Sequence, residues 1–99
     1  TPIITKSANA TISAFQHTIL ANCATGNVTL TLPTATGCTG RMYIIKRIDD
    51  SANAANIDSN GSEEIEGSTD SASVPGMSSI VLQSDGSGWW KVAEYIKAP

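Results

Sequence analysis

Residues 41–48 read RMYIIKRI, a short stretch that is apolar on both of its sides. In a β-strand, successive side chains point to opposite faces of the sheet. The two faces then carry Met42, Ile44 and Ile48 and, opposite them, Tyr43 and Ile45. A strand with apolar residues on both faces is usually covered on both. A chain of 99 residues builds only a modest core. We therefore expect the domain itself to supply one cover and another subunit to supply the second.

Short apolar runs of the same kind recur along the chain, each bounded by Gly, Asn, Asp, Ser or Pro. This pattern is typical of the short strands of a β-sandwich. The predicted strands are 2–5, 10–15, 18–23, 27–32, 41–48, 55–58, 79–84 and 89–96, with a short edge strand at 64–66. No window predicts more than one turn of helix. The sequence predicts one all-β domain over residues 1–99, a small antiparallel β-sandwich of jelly-roll-like form.

The segments 18–23 and 27–32 are predicted to pair as an antiparallel hairpin. Gly26 lies between them and can adopt the positive φ that a three-residue hairpin loop requires. In the second segment the residues alternate, with Val28, Leu30 and Leu32 on one face and Thr29 and Thr31 on the other. This alternation is expected of a sheet with one buried face.

Composition and charge exclude several classes of partner. Only 15% of the residues are charged, against about a quarter in typical soluble domains. The net charge of −3 provides no electrostatic basis for binding a phosphate backbone, so no nucleic acid is expected. No apolar run approaches the roughly 18 residues of a membrane span, so no membrane insertion is expected. The chain begins without Met and without signal-peptide features, and we expect it to be a piece of a longer protein.

Cys23 and Cys38 are predicted to be separate buried thiols. Cys23 closes one predicted strand, whereas Cys38 lies in a loop beyond the far end of the next strand. Their Cα atoms would then lie beyond the ~7 Å limit for a disulfide, unless the loop folds back across the sheet. Two cysteines at this spacing do not make a disulfide scaffold.

No catalytic or metal site is predicted. The single histidine, His17, precedes a strand, and no motif ties it to a Ser or Cys nucleophile, so we expect no enzyme. One turn is rich in oxygen donors, namely Asp58, Asn60, Glu63, Glu64 and Glu66. It lacks the longer ligand series and the flanking helices of a calcium-binding EF-hand. A plain turn is the favoured interpretation, with no metal and no cofactor.

Arg41 and Arg47 are predicted to lie on the same face as Tyr43. With Lys46 they form a small basic group on one strand. A solvated strand edge is the favoured interpretation, and pairing with carboxylates of a neighbouring subunit is the alternative.

Three segments, taken in order, resemble the small β-rich head domains at the C-terminal ends of bacteriophage tail fibres and related viral attachment fibres. They are VTLTLP at 28–33 with GRMYIIK at 40–46, NID at 56–58 with EIEG at 64–67, and SDGSGWWKV at 84–92. The resemblance implies a C-terminal fibre piece on the virion surface, assembled as a homotrimer. It further implies attachment to a host-cell saccharide or protein receptor, or the capping of a fibre.

The last strand carries two adjacent tryptophans, which must leave on opposite faces. The resembled domains typically show one Trp here, aligned with Trp90, so Trp90 is predicted to lie in the core with Val92 and Ile96. Trp89 and Tyr95 are then predicted to lie outside. Aromatic residues are enriched at interfaces.

The predicted subunit interface consists of Tyr43, Ile45, Trp89 and Tyr95. A receptor site at Trp89 and Tyr95, where a sugar ring would stack, is the alternative use of the two aromatic residues of the last strand. Two rival functions remain open. One is a monomeric carbohydrate-binding module of a secreted enzyme, and the other is a purely structural virion cap.

Overall fold

The computed structural model describes residues 2–98, within which it contains nine strands and no helix. The strands are β1 Ile3–Lys6, β2 Ala10–Thr11, β3 Thr18–Ala21, β4 Val28–Thr31, β5 Met42–Arg47, β6 Ala55–Asp58, β7 Ala72–Ser73, β8 Ser79–Ser84 and β9 Trp89–Tyr95. The predicted all-β class is confirmed. The predicted strand at 10–15 is shorter, because Ser13 to Gln16 form a turn closed by the Gln16 amide on the Ser13 carbonyl. The predicted edge strand at 64–66 is reduced to bridges from Ile65 to Ser68 and to Trp89.

The strands form two mixed sheets, a five-stranded sheet of order β1-β3-β5-β8-β9 and a four-stranded sheet of order β2-β4-β6-β7. The first six strands alternate between the two sheets, so the chain winds as a two-sided coil. Each of the first four strands pairs in parallel with the strand two positions further along the chain. The last three strands pair antiparallel. β7 is added to β6 at one edge of the four-stranded sheet, and β8 and β9 follow β5 at one edge of the five-stranded sheet.

The predicted antiparallel hairpin is therefore wrong, because β3 and β4 lie in different sheets. Residues 24–27 form an arch from one sheet to the other, and Gly26 does not adopt the positive φ that the hairpin loop needed. Four of the seven strand pairings among residues 2–98 are parallel. The predicted antiparallel sandwich is thus wrong in strand direction, and the jelly-roll arrangement is not confirmed.

The core lies between the two sheets and is filled by inward side chains from both. Its largest members are Trp89 and Tyr43, whose ring centroids are 5.5 Å apart with the planes tilted by 43°. The Tyr43 hydroxyl donates a hydrogen bond to the Ser13 carbonyl at 3.1 Å. A buried aromatic ring removes about 150–250 Å² from water. Both rings belong to the five-stranded sheet, on β9 and β5, so they form a large part of the apolar surface that this sheet turns toward the four-stranded sheet.

The prediction that Trp90 lies in the core is wrong, because Trp89 is fully buried and Trp90 is 45% exposed. Trp89 lies opposite Ser84 on β8, and Lys91 lies opposite Leu82, so the odd-numbered positions face inward at this end. A bulge then leaves Val92 without a partner and breaks the alternation. Val92 and Ile96, the predicted core neighbours of Trp90, are half exposed.

The predicted interface residues Tyr43, Ile45 and Trp89 are also placed differently. All three are fully buried within their own protomer, so their side chains contact the core and not a second subunit. The same burial removes Trp89 as a receptor-binding platform. Tyr95 alone of the four predicted residues lies on the surface, with 56% of it exposed.

The two tryptophans are expected to contribute very differently to stability. Trp89→Ala leaves a large cavity beside Tyr43 and should lower the free energy of unfolding by about 3–5 kcal/mol. Trp90→Ala, at a half-exposed edge position, should cost less than about 1 kcal/mol. Urea unfolding followed by circular dichroism measures both values. Equal losses would contradict the placement of Trp89 inside and Trp90 outside.

Candidate functional site

The outer faces of the two sheets differ in chemistry. The outward residues of the four-stranded sheet are all polar: Thr11, Thr29, Thr31, Asn56, Asp58 and Ser73. The outward residues of the five-stranded sheet include a continuous apolar set, called here the apolar outer face: Ile3, Leu20, Met42, Ile44, Val81, Ala93 and Tyr95. Alternating burial along β3, β5 and β8 assigns these sides. Only one sheet therefore presents apolar residues to its surroundings.

Strand register makes the apolar outer face continuous. One row of directly paired residues crosses all five strands and is apolar except for Thr18: Ile3, Thr18, Ile44, Val81 and Ala93. In the next row Lys46 lies with its ammonium 5.5 Å from the centre of the Tyr95 ring and donates to the Met77 carbonyl. Lys46 is the only charged outward residue within the described strands of this sheet. The face is thus apolar and nearly uncharged.

β5 bears out the two-sided pattern that the sequence indicates, with the sides exchanged. Tyr43 and Ile45 face the core and are covered by the protomer. On the other side of β5, Ile44 is partly exposed and Met42 is exposed. The more exposed side of β5 therefore carries Met42 and Ile44. The sequence instead predicts Tyr43 and Ile45 on the side that a second subunit covers.

The outer edge of β9 is covered at one end only. The Trp89 amide donates to the Glu64 carbonyl at 2.8 Å, and the Glu66 amide donates to the Trp89 carbonyl at 2.9 Å. The Lys91 amide donates to the Glu66 carboxylate at 2.8 Å. Within residues 2–98, no bridge lies on this side of β9 beyond Trp89. Lys91 and Glu94 form an exposed ion pair at 3.4 Å, and such charges protect open strand edges.

Trp90 and Asp85 form a rigid corner at the end of β9. The Trp90 indole Nε1 donates to Asp85 Oδ2 at 2.7 Å. The other carboxylate oxygen accepts hydrogen bonds from the amides of Ser87 and Gly88, both at 2.9 Å. These bonds, led by that from Trp90, hold the pKa of Asp85 well below its usual range. The carboxylate therefore fixes both the 85–88 turn and the orientation of the indole.

A shallow depression of about 240 Å³ lies beside this corner. Its lining residues are Ser62, Glu63, Glu64, Gly67, Asp85, Ser87, Gly88, Trp89 and Trp90. Sequence reasoning missed this site because it assigned Trp90 to the core. The available signal was Asp85 followed by Gly, Ser and Gly, since an Asp that opens such a turn commonly accepts hydrogen bonds from the amides that follow.

The acidic turn has structural partners. Glu63 accepts hydrogen bonds from the Thr34 hydroxyl at 2.6 Å and from the Ala35 amide at 2.9 Å. Asp58 lies on the outer side of β6, and Glu66 lies at the edge of β9. Within residues 2–98, no group of three His, Cys, Asp or Glu side chains could hold a metal ion. The predicted oxygen donors are thus spread over several places.

Arg47 is buried, with 4% of its side chain exposed, so the prediction of a solvated edge or a contact with a neighbour is wrong. It bonds both oxygens of Asp49, from Nε and from Nη2, at 3.1 Å in each case. Nη2 also donates to the carbonyls of Ser51 at 3.0 Å and Asn53 at 2.6 Å. Asp49 in turn accepts a hydrogen bond from the Cys23 amide at 2.8 Å.

Arg47 and Asp49 shift each other's pKa values. The guanidinium of Arg47 holds the pKa of Asp49 well below its usual range, and Asp49 raises the pKa of Arg47. Burial raises the pKa of the nearby Cys23 thiol. Strongly perturbed groups often mark active sites. Here the donors and acceptors of the pair are bonded to loop backbone, so the pair is a structural clamp.

The histidine and the cysteines are not combined into a catalytic group. His17 Nδ1 lies 3.1 Å from the Thr18 hydroxyl. Cys38 donates to the carbonyls of Thr34 and Ala35. Both cysteines are free thiols, as predicted, with Cys23 buried and Cys38 only half buried. His17 and Cys38 line an open depression of about 510 Å³ at which Phe15 is 87% exposed.

A scan against protein-family models and a search of curated proteins find no match for this chain. The resemblance to viral fibre heads therefore stays a prediction. Within residues 2–98 there is no helix of the length and apolar character that a membrane crossing requires.

The Asp49 carboxylate is expected to make stability depend on acid pH. Because its pKa is lowered in the folded state, its contribution is full above the unfolded pKa of about 3.9 and is lost as pH falls below that value. Asp49→Asn should lower the free energy of unfolding at pH 7 by about 3 kcal/mol, since Arg47 stays buried without its counter-ion. The loss of stability between about pH 5 and pH 2 should also become shallower, with Asp85 supplying the remaining slope.

Urea unfolding at a series of pH values measures both effects. Asp50→Asn is the matched control, because Asp50 and Lys97 form an exposed pair that contributes at most about 1 kcal/mol. A pH dependence as steep in Asp49→Asn as in the unmodified chain would contradict the assignment.

Proposed function

We propose that this chain is the head domain of a viral attachment fibre, which assembles as a homotrimer through its apolar outer face and binds a receptor on the host cell. The observation that carries the assembly is the contrast between the two sheets. Thr29 and Asn56 face outward on the four-stranded sheet, whereas Ile44 and Val81 occupy the equivalent central positions of the five-stranded sheet. Contiguous exposed apolar surface of this kind marks an interaction site.

Burial of this surface would be favourable, because each Å² of apolar surface removed from water contributes about 25 cal/mol. A domain of this size hides less of its surface than a larger one, so a contact between subunits adds usefully to stability. The face also favours an apolar partner. Its charged outward residue, Lys46, is already engaged by the Tyr95 ring and the Met77 carbonyl. A second copy of the chain supplies the same apolar chemistry.

The trimeric state and the viral setting are supported by the resemblance of the three sequence segments at 28–46, 56–67 and 84–92. In a cyclic trimer, one part of the apolar outer face of each subunit would pack against a different part of the same face on the next subunit, and the rotation closes the ring. The uncovered outer side of β5 accounts for the two-sided apolar pattern of residues 41–48. A purely structural virion cap would use the same contact and would bind no receptor.

A monomeric carbohydrate-binding module is the second candidate function. The half-exposed Trp90 favours it, because a fixed aromatic ring at the surface suits stacking on a sugar. The two candidates differ in oligomeric state. The first requires a stable assembly at micromolar concentration, and the second does not.

A charge at the centre of the apolar outer face should abolish assembly. Multi-angle light scattering is expected to give a trimer for the unmodified chain at micromolar concentration and a monomer for Val81→Glu, because a carboxylate buried at the contact would lose its hydration. Thr29→Glu is the matched control. Thr29 is also β-branched and partly buried, and it lies on a strand flanked on both sides, but it belongs to the polar sheet.

The control variant should remain trimeric, and circular dichroism should show the same strand content for both variants. A monomeric unmodified chain would contradict the assembly. Dissociation of both variants to the same extent would contradict the assignment of the contact to the apolar outer face.

A further inference from the structure

The corner formed by Trp90, the 85–88 turn and the 62–64 loop has the chemistry of a ligand site. We propose that it binds one ring of a neutral saccharide, which stacks on Trp90 and donates hydroxyl hydrogen bonds to the acidic rim. The inference rests on the proposed role in attachment and names the class of receptor. It places the ligand on Trp90 and excludes Trp89, which is buried.

The stacking surface is held ready before any ligand arrives. Trp90 is half exposed, yet its only polar atom is already bonded to Asp85. The exposed part of the indole is therefore its apolar ring surface, which suits the C–H face of a pyranose. Asp85 is itself held by the Ser87 and Gly88 amides, so the ring has little freedom to lose on binding. Such preorganisation lowers the entropic cost of association.

The polar groups beside the ring match a sugar's hydroxyls. The side chains of Ser62, Glu64 and Ser87 line the same depression as Trp90, and all three residues are exposed. Carboxylates accept hydrogen bonds only, and serine hydroxyls both accept and donate. The depression, at about 240 Å³, is smaller than the roughly 300 Å³ or more of a pocket for a drug-sized ligand. A single ring fits this scale, with further sugar units extending into solvent.

Charge selects among saccharides. Three acidic residues, Glu63, Glu64 and Asp85, and none of the described Lys or Arg residues line the depression. Like charges repel, so sialic acids, uronic acids and sulfated or phosphorylated sugars are disfavoured. A neutral hexose has no such penalty.

The site lies at one end of the outer face of the five-stranded sheet, in the same row of paired residues as Met42. Trp90 pairs with Gln83 and its indole is bonded into the 85–88 turn, at one end of the five-stranded sheet. The continuous apolar row runs further along the strands, through Val81 and Ala93. We expect the proposed contact to centre on the row of Ile44, Val81 and Ala93 and to leave Trp90 at its rim, open to a saccharide.

The test is a printed array of neutral gluco-, galacto- and manno-configured oligosaccharides together with sialylated counterparts, probed with the labelled full chain. We expect neutral glycans to be bound and sialylated ones not. Trp90→Ala should weaken binding of the strongest neutral glycan by about tenfold or more, as measured by titration. Phe15→Ala is the matched control, because Phe15 is a highly exposed aromatic residue far from Trp90 in the chain, and it should bind like the unmodified protein.

Two further variants keep the test decisive if Trp90→Ala folds poorly. Trp90→Phe retains an aromatic ring and should keep weakened binding, whereas Glu64→Lys keeps the ring and should lose selectivity against sialylated glycans. An array with no neutral glycan bound, a preference for sialylated glycans, or equal binding by Trp90→Ala would each overturn the inference.

Light scattering on the same samples separates this inference from the proposed function. A trimer that binds no glycan would overturn the saccharide site and leave the assembly standing. A monomer that binds neutral glycans through Trp90 would overturn the assembly and uphold the site.

Discussion

The alternation of the chain between two sheets is the constraint on which the structure depends. Every crossing needs an arch, and an arch brings backbone amides and carbonyls to the edge of the core, where each needs a partner. The Arg47–Asp49 clamp meets this need at one end of the coil. Arg47 donates to carbonyls of the 51–53 loop, and Asp49 accepts from the Cys23 amide. A single ion pair thus joins the ends of β3 and β5 to the loop that leads into β6.

The coil also explains why the two outer faces differ. The inward residues of both sheets meet in one core, whose two largest side chains, Trp89 and Tyr43, both come from the five-stranded sheet. The four-stranded sheet turns a polar side outward, as a solvated sheet does. The five-stranded sheet turns Ile44 and Val81 outward, where both are partly exposed and, within residues 2–98, no strand of the other sheet lies over them. The proposed assembly and the proposed ligand site at Trp90 both use this five-stranded sheet.

Strand positions were largely predictable, because the period of two and the bounding Gly, Asn, Asp and Ser residues are local properties. The pairing of β3 with β4 was not predictable from the same local signals. A short Gly-containing turn serves either a hairpin or an arch, and Gly26 adopts the φ range of ordinary residues. The interior position of Arg47 was likewise missed. Its hydrogen-bond partners, Asp49 and the carbonyls of the 51–53 loop, surround the guanidinium only in the folded structure.

The last strand shows most clearly which features the sequence determines and which the tertiary structure decides. The alternation of side chains dictated that Trp89 and Trp90 point to opposite faces, since this follows from backbone geometry alone. Which of them entered the core depended on the register with β8 and on the bulge at Val92, and both are properties of pairing between distant segments. Composition and periodicity established an all-β chain in which one strand, at 41–48, carries apolar residues on both faces. The packing of two sheets chose its inner side, because the four-stranded sheet lies against the side of β5 that carries Tyr43 and Ile45.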